Sequence, residues 1–355
     1  MKILIVKLGS IGDVIHALPA LAAIREALPD ARIGWAVETR SAGILRGNPM
    51  IDHLIELDTR SLRAGGAGVE EIALDAGKQL KGLRKYSFDI ALDMQGLLKS
   101  AVIAKLSKAP VRYGFSKQNL REPASRFFLT NTVRIDPHTH IIRKNLKLAG
   151  DALGIPVPSE NFEFPISANE EEKREAGEIV SRTGENFAIL NPAGGWVTKL
   201  WHAEKYGQLA DRIWEENGLV SIVATGPGEL DLAKRVLDAS RSGKVFLAQP
   251  SLKGFYELAK RARIYIGGDT GPTHIAVAAK APIAGIFGPT EWWRNGSPNP
   301  GDICVERTDI SCRIDCHRRT CSNWICMDTN VETVFNAVQK RLGTTEKIET
   351  ADANR

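Results

Sequence analysis

The feature that most constrains this chain is a unit it uses twice: an apolar β-branched run, a glycine-bearing turn, then a helix-spaced segment. The first copy opens as Met1-Lys-Ile-Leu-Ile-Val-Lys7, turns at Leu8-Gly-Ser-Ile-Gly-Asp13, and continues from Val14 to Arg25 with one apolar face. Such a run reads as a buried parallel strand, because a strand covered on both faces shows no polar alternation. The turn then aims backbone N–H groups and the positive end of a helix dipole at the space above the strand's carboxyl end, where open α/β sheets bind ligands. Asp13 falls in the first helical turn, where that dipole favours an ionised carboxylate. An aspartate there is most often only a cap. Gly9 and Gly12 give G-x-x-G, short of the three-glycine dinucleotide fingerprint and of the Gly-Lys-Ser/Thr of a P-loop.

The same grammar carries on down the chain. Strand-like Ala31–Val37, His53–Leu57 and Phe88–Asp93 alternate with helical spacing, including 70–86, and Met94–Ser100 forms a second strand-to-helix turn. Arg112–Arg126 reads as loop-rich and His140–Leu153 as a basic helix. Prolines at 156, 158 and 165 then break regular structure. The strand–turn–helix pattern restarts at Phe187 and runs through strands at 220–224, 245–247, 263–266 and 283–287. Alternating strands and helices over 355 residues predict an α/β chain of two Rossmann-like parallel-sheet domains. We place them at 1–166 and 167–345, with 346–355 a frayed tail and a path back to the first domain open to a terminal helix at 331–342.

Charge and cysteine usage narrow the class. Net charge is only +5, but Lys99 to Lys147 holds 11 Lys or Arg against 2 Asp or Glu. That excess fits a solvated face or an anionic partner, and no nucleic-acid motif accompanies it. No stretch has the signature of a signal peptide or a membrane span, so a cytoplasmic protein is expected. Cys312, Cys316, Cys321 and Cys326 are spaced C-x3-C-x4-C-x4-C, without a C-x2-C zinc pair. Local packing of a loop-rich tail is the expected role of this segment, with neither a metal site nor a disulfide framework.

The second half carries four glycine-containing turns at predicted strand ends: Asn191–Gly195, Thr225–Gly228, Gly267–Gly271 and Gly288–Thr290. Turns of this kind let backbone amides approach phosphate oxygens closely. Lys199 supplies a flexible point charge suited to a diphosphate, Thr270 and Gly271 open a helix, and Glu229 lies where a carboxylate accepts from ribose hydroxyls. A nucleotide-diphosphate site follows. It leaves three readings open: a transferase, a nucleotide-binding oxidoreductase, and a non-catalytic nucleotide-sugar-binding module. The absent three-glycine fingerprint argues against the oxidoreductase.

Four ordered motifs then resemble a known family. Lys7-Leu-Gly-Ser-Ile-Gly-Asp13-Val-Ile-His16-Ala-Leu-Pro19, Asp93-Met-Gln-Gly96-Leu-Leu-Lys-Ser100, Arg121-Glu-Pro123 and Asp269-Thr-Gly-Pro-Thr-His274 are similar to those of the lipopolysaccharide heptosyltransferases of glycosyltransferase family 9. The resemblance spans about residues 1–300 and is closest to the heptosyltransferase I branch, whereas Cys326-Met327 is more like branches II and III. It implies a GT-B fold, two domains facing across a cleft. It also implies inverting transfer of heptose from ADP-heptose to a Kdo or inner-core heptose acceptor. By motif position Asp13 matches the general base. Lys199, Thr270 and Gly271 match donor phosphate contacts, Glu229 the ribose contact, and Asp269 and His274 the donor-side motif. Arg60, Arg63 and Arg121 match the positions that hold the acidic acceptor. No cofactor is expected, ADP-heptose being a substrate. With no Asp-x-Asp in the chain, metal-independent transfer is expected as well. The anionic lipid A–Kdo acceptor implies work at the inner face of the inner membrane, and gives the basic stretch a use. His16 and the Trp292-Trp293 pair read equally well, or better, as packing residues.

Overall fold

The structure, a computed structural model, describes residues 1–58, 81–314 and 316–353, with side chains to residue 345. The chain divides into two compact units, Met1–Ser167 and Ala168–Arg355.

In the first unit β1 (Lys2–Val6), α1 (Ile11–Ile15), α2 (Leu18–Ala27), β2 (Arg32–Glu38), α3 (Thr39–Ala42), β3 (His53–Leu57) and β4 (Ile90–Asp93) are followed by α4 (Leu98–Leu106), β5 (Val111–Phe115), β6 (Asn131–Val133) and α5 (Ile141–Leu153). The six strands make one sheet in the order β3-β2-β1-β4-β5-β6, every pair parallel. The order reverses beside β1: the chain runs outward through β2 and β3, then crosses back to place β4 on the other side. Residues 3–6 are fully buried, the double coverage that their unbroken apolar run implies.

The second unit repeats the plan. It comprises α6 (Glu170–Thr183), β7 (Phe187–Asn191), α7 (Ala203–Asn217), β8 (Val220–Ala224), α8 (Leu230–Ala239), β9 (Val245–Ala248), α9 (Leu252–Ala259), β10 (Ile264–Gly268), α10 (Gly271–Ala278), β11 (Ile283–Phe287), α11 (Trp292–Asn295), β12 (Ile303–Glu306) and α12 (Val331–Ala353). Sheet order is β12-β11-β10-β7-β8-β9, again all parallel, with the reversal between β7 and β10.

Two expectations are corrected. Arg112–Arg126 does not remain loop: it supplies β5 and two short 3-10 turns, Lys117–Asn119 and Pro123–Phe128, before β6. These strands are short and polar-bearing (Arg112 in β5, Asn131 and Thr132 in β6), so they carry little apolar signal, as does the edge strand β12. The last helix packs on the second sheet: Val334, Phe335, Val338 and Leu342 join the core built on Ile264, Ile266, Ala284 and Ile286. It does not end at Leu342. Gly343 stays helical while Thr344 and Thr345 bond back to the carbonyls of Lys340 and Arg341 (2.9 and 3.2 Å), and the helix continues to Ala353.

At the amino-terminal edge of the first sheet, Asp52 accepts from the Ile33 amide (2.8 Å), Arg25 (2.9 Å) and Arg32 (2.9 Å). Burial alone would raise this carboxyl, but those three donors bring it from 3.8 down to about 2. Its folded pKa lies below the unfolded one. The carboxylate therefore stabilises the unit above about pH 4, by about 2 kcal/mol, and that contribution is lost as pH falls toward 2. Asp52→Asn should lower the urea midpoint of this unit at pH 7, with the gap from the parent chain closing on acidification. A gap independent of pH would contradict the assignment.

Candidate active site

Asp13 is the third residue of α1, behind Ser10 at the cap. Its Oδ2 accepts from the Ser10 amide (3.0 Å) and hydroxyl (3.3 Å), and its Oδ1 lies 3.9 Å from the Lys7 ammonium. The side chain stays 38% exposed, whereas Lys7 is buried and donates to the Met94 carbonyl (2.8 Å). Asp13 is thus a cap, and it is also an accessible carboxylate at the carboxyl end of β1.

The turn that carries it is braced by its neighbour across the sheet reversal. Gln95 Oε1 accepts from the amides of Leu8 (3.1 Å) and Gly9 (3.3 Å). Asp93 Oδ1 in turn accepts from the amides of Gln95 and Gly96, both at 3.1 Å. Burial pushes the Asp93 carboxyl up to about 6, against the pull of those amides, Ser100 and Lys7. Gly9 has φ +134°, and a Cβ there would meet the Ser41 hydroxyl at 2.5 Å, so the turn requires glycine. On the other flank, buried Glu38 at the end of β2 pairs with Arg40 (2.6 Å) and with Lys99 at the start of α4. Lys7, Gln95, Glu38 and Lys99 all support the Asp13 end of the sheet. Sequence reading passed over these roles, although Lys7, Gln95 and Lys99 stand inside the quoted motifs.

In the second unit the four glycine turns follow β7, β8, β10 and β11, four adjacent strands, so they line one sheet edge. Lys199 reaches from the segment after β7 to the end of β10, where its ammonium donates to Asp269 Oδ2 (2.6 Å) and to the Asp269 carbonyl (2.9 Å). His274 Nε2 lies 3.1 Å from Asp269 Oδ1, and Asn295 donates to Oδ2 (3.3 Å). Burial would raise the Asp269 carboxyl, but His274 and Lys199 hold it well below the carboxylate range. The pair is therefore ionic although both partners are more than nine-tenths buried. Thr270 occupies the position before α10 without a side-chain capping bond, and Gly271 is the first residue, with Pro272 next, where a missing N–H is tolerated. Glu229 stands one strand over, after β8, and its Oε2 accepts from the Gly226 amide (2.7 Å).

The remaining candidates divide. Arg121 is exposed beside Glu122, which accepts from the Leu98 amide (2.6 Å) at the start of α4; this too is the carboxyl end of the first sheet. Arg60 and Arg63 lie outside the described residues. His16 is buried, with its ring edge-on to His140 at 6.2 Å. Trp292 packs edge-on against Phe287 at 4.9 Å, and Trp293 is 39% exposed.

The cysteine segment packs on the Lys199 turn. Trp324 donates to the Thr198 carbonyl (3.0 Å), Thr198 donates to the Arg318 carbonyl (2.5 Å), and Arg319 sits 5.4 Å from the Trp196 ring. All five cysteines are free thiols, and burial raises those of Cys304 and Cys326. Among the described residues, no three His, Cys, Asp or Glu side chains form a group able to hold a metal ion.

Two doubly wound parallel units, each with its polar residues at the point where strand order reverses, make up a GT-B type of fold. Residues 77–325 match the family model for glycosyltransferase family 9 (heptosyltransferase). The chain belongs to that family. Lipopolysaccharide heptosyltransferase 1 of Pseudomonas aeruginosa is 28% identical over 324 residues, covering 91% of this chain and 88% of that protein. The protein of the same name from Escherichia coli K12 is 26% identical over 82% of this chain and 89% of its own length. The solved structure of E. coli heptosyltransferase WaaC with ADP superposes with a TM-score of 0.78 at 23% identity, covering 96% of this chain and all of that one.

The buried pair yields a test. Asp269→Ala strands the Lys199 ammonium without its counter-ion, which costs ~3–5 kcal/mol of stability, while removing both partners costs less than the two single losses combined. Urea unfolding of the four chains of a Lys199/Asp269 double-mutant cycle measures this. Simple additivity would show that the two groups do not depend on each other.

Proposed function

We propose that this chain transfers heptose from ADP-heptose to a Kdo residue of the lipopolysaccharide inner core, with inversion at the anomeric carbon. Asp13 is the general base. The observation that carries the reading is the half-exposed Asp13 carboxylate, held by Ser10 and flanked by a buried ammonium at a sheet-reversal point. A sugar hydroxyl is a poor nucleophile at neutral pH, so a carboxylate within hydrogen-bond reach must take its proton as the new bond forms. Displacement passes through an oxocarbenium-like state while negative charge builds on the departing ADP. Lys199 and the amides of Thr270 and Gly271 receive that charge, with Asp269 and His274 holding Lys199 in place and Glu229 turning to the ribose.

Arg60, Arg63 and Arg121 take the acceptor's carboxylate and phosphate groups. The relatives' names support a lipopolysaccharide acceptor, and the choice of Kdo within it follows from the resemblance to the heptosyltransferase I branch. Nothing in this scheme calls on a cofactor or a metal, so turnover persists in a chelator. No helix among the described residues is long and apolar enough to cross a membrane. The anionic, lipid-borne acceptor sets the place of action in this reading at the cytoplasmic face of the inner membrane.

Asp13→Asn keeps the cap's acceptor oxygen and removes the base. It should lower kcat at least ~10²-fold, the usual scale for a general base, with affinity for ADP-heptose unchanged by calorimetry. Retained turnover would remove Asp13 from the chemistry, and a parent chain that binds ADP-heptose without turning over would be a binding module.

A further inference from the structure

Four of the large apolar side chains that the first unit leaves exposed fall between residues 98 and 127: Leu98, Leu106, Val111 and Phe127, the last 74% exposed. On α4, Leu98, Val102 and Lys105 are spaced i, i+4, i+7 and share one face, while Ser100, Ala101 and Ala104 are buried on the other. The 3-10 segment Pro123–Phe128 lies along this helix. It is tied at one end by Glu122 to the Leu98 amide (2.6 Å), and at the other the Lys105 ammonium stands 5.4 Å from the Phe128 ring. Phe127 projects from this segment with the Arg126 guanidinium 5.0 Å from its ring. Exposed Lys105 on the helix, and exposed Arg121 and Arg126 beside and on the 3-10 segment, put positive charge at the same face.

An exposed apolar side chain on its own needs no explanation, and neither does a basic face. Their combination does: water is a poor solvent for a projecting phenyl ring and an adjacent leucine-bearing helix face, and the cationic rim selects an anionic counterpart. A lipid surface satisfies both demands at once, apolar groups entering the boundary of headgroup and acyl chain while lysine and arginine meet phosphates. Nucleic acid would satisfy the charge and leave the helix face wet.

We propose that the outward face of α4 and the Pro123–Phe128 segment form a docking surface for an anionic lipid bilayer, with Phe127 as its inserted anchor. This rests on the lipopolysaccharide-directed reading above and names the surface through which the chain meets the membrane. The test is co-sedimentation of the full chain with sucrose-loaded vesicles of phosphatidylcholine alone, or of phosphatidylcholine containing a minority of phosphatidylglycerol. The parent should bind only the second kind, less so at high salt. Phe127→Ser should reduce partitioning on the order of tenfold or more, and Arg126→Gln about fivefold. Phe127→Trp should restore binding, with its emission moving to the blue on adding phosphatidylglycerol vesicles. Phe127→Ser binding like the parent, an unmoved tryptophan emission, or single-stranded RNA captured while vesicles are ignored would each overturn the proposal. Heptose transfer to a delipidated, water-soluble Kdo acceptor should be unaffected by Phe127→Ser. A chain that docks through Phe127 but transfers no heptose overturns the functional reading alone, and a chain that transfers heptose but ignores the vesicles overturns this proposal alone.

Discussion

Each unit depends on a lysine that crosses the point where its sheet reverses direction. When successive strands run outward and the chain then returns to the far side of the first strand, the turns above those two strands diverge and leave a gap. Lys7, just after β1, spans it to the carbonyl of Met94 at the end of β4. Lys199, in the segment after β7, spans it to the carbonyl of Asp269 at the end of β10. Both bonds are short, both ammonium groups are buried, and both meet a main-chain oxygen just past the last strand residue, where regular pairing ends. The sheet's topology creates the same vacancy twice, and the chain fills it twice with the same kind of side chain.

The two solutions differ in what stands next to the ammonium, and that difference sets the chemistry open to each unit. Lys199 has a full carboxylate partner at 2.6 Å, so its charge is matched within the protein. Lys7 lies 3.9 Å from Asp13, a distance that lends attraction without a direct hydrogen bond. Asp13 therefore keeps acceptor capacity for a partner from outside. Asp93 is close enough to feel Lys7, yet it is fully buried, its carboxyl is pushed up to about 6, and its Oδ2 has no hydrogen-bond partner among the described residues. Two carboxyl groups thus share one ammonium. The accessible one is the base in the proposed transfer, and the enclosed one anchors the Gln95 brace.

The strand–turn–helix grammar made most of this legible before any coordinates. A buried parallel strand has an unbroken apolar run, and the glycine after it marks the turn, so β1, β7, β8, β10 and β11 could be read directly. Edge strands β6 and β12 could not, and neither could their neighbour β5, whose Val-Arg-Tyr-Gly-Phe is half open to water and lacks that run. Site residues divided along the same line. Asp13, Lys199, Asp269, Thr270 and Gly271 sit at turns that the grammar marks. Gln95 and Glu38 act through contacts with a neighbouring strand's turn, and strand order is not written in local sequence. Helix α12 runs through Gly343, past the expected end at residue 342, because its packing on the sheet outweighs a propensity cost of ~1 kcal/mol.

The pairing of Lys199 with Asp269 looks counterproductive for a group proposed to receive a diphosphate, since it cancels the charge that would attract one. The geometry resolves this. Of the three ammonium protons two are held, by the Asp269 carboxylate and carbonyl, which fixes the direction of the third. The Trp196 ring centre, 4.0 Å from Nζ, also lies against the ammonium. An unpaired lysine would attract the donor more strongly at long range, but it would have to lose side-chain freedom on each binding event. In the proposed transfer a clamped lysine would meet the developing charge without losing that freedom again, the advantage of a preorganised donor in a buried setting. His274 and Asn295 serve the same end one step removed: they hold Asp269, which holds Lys199.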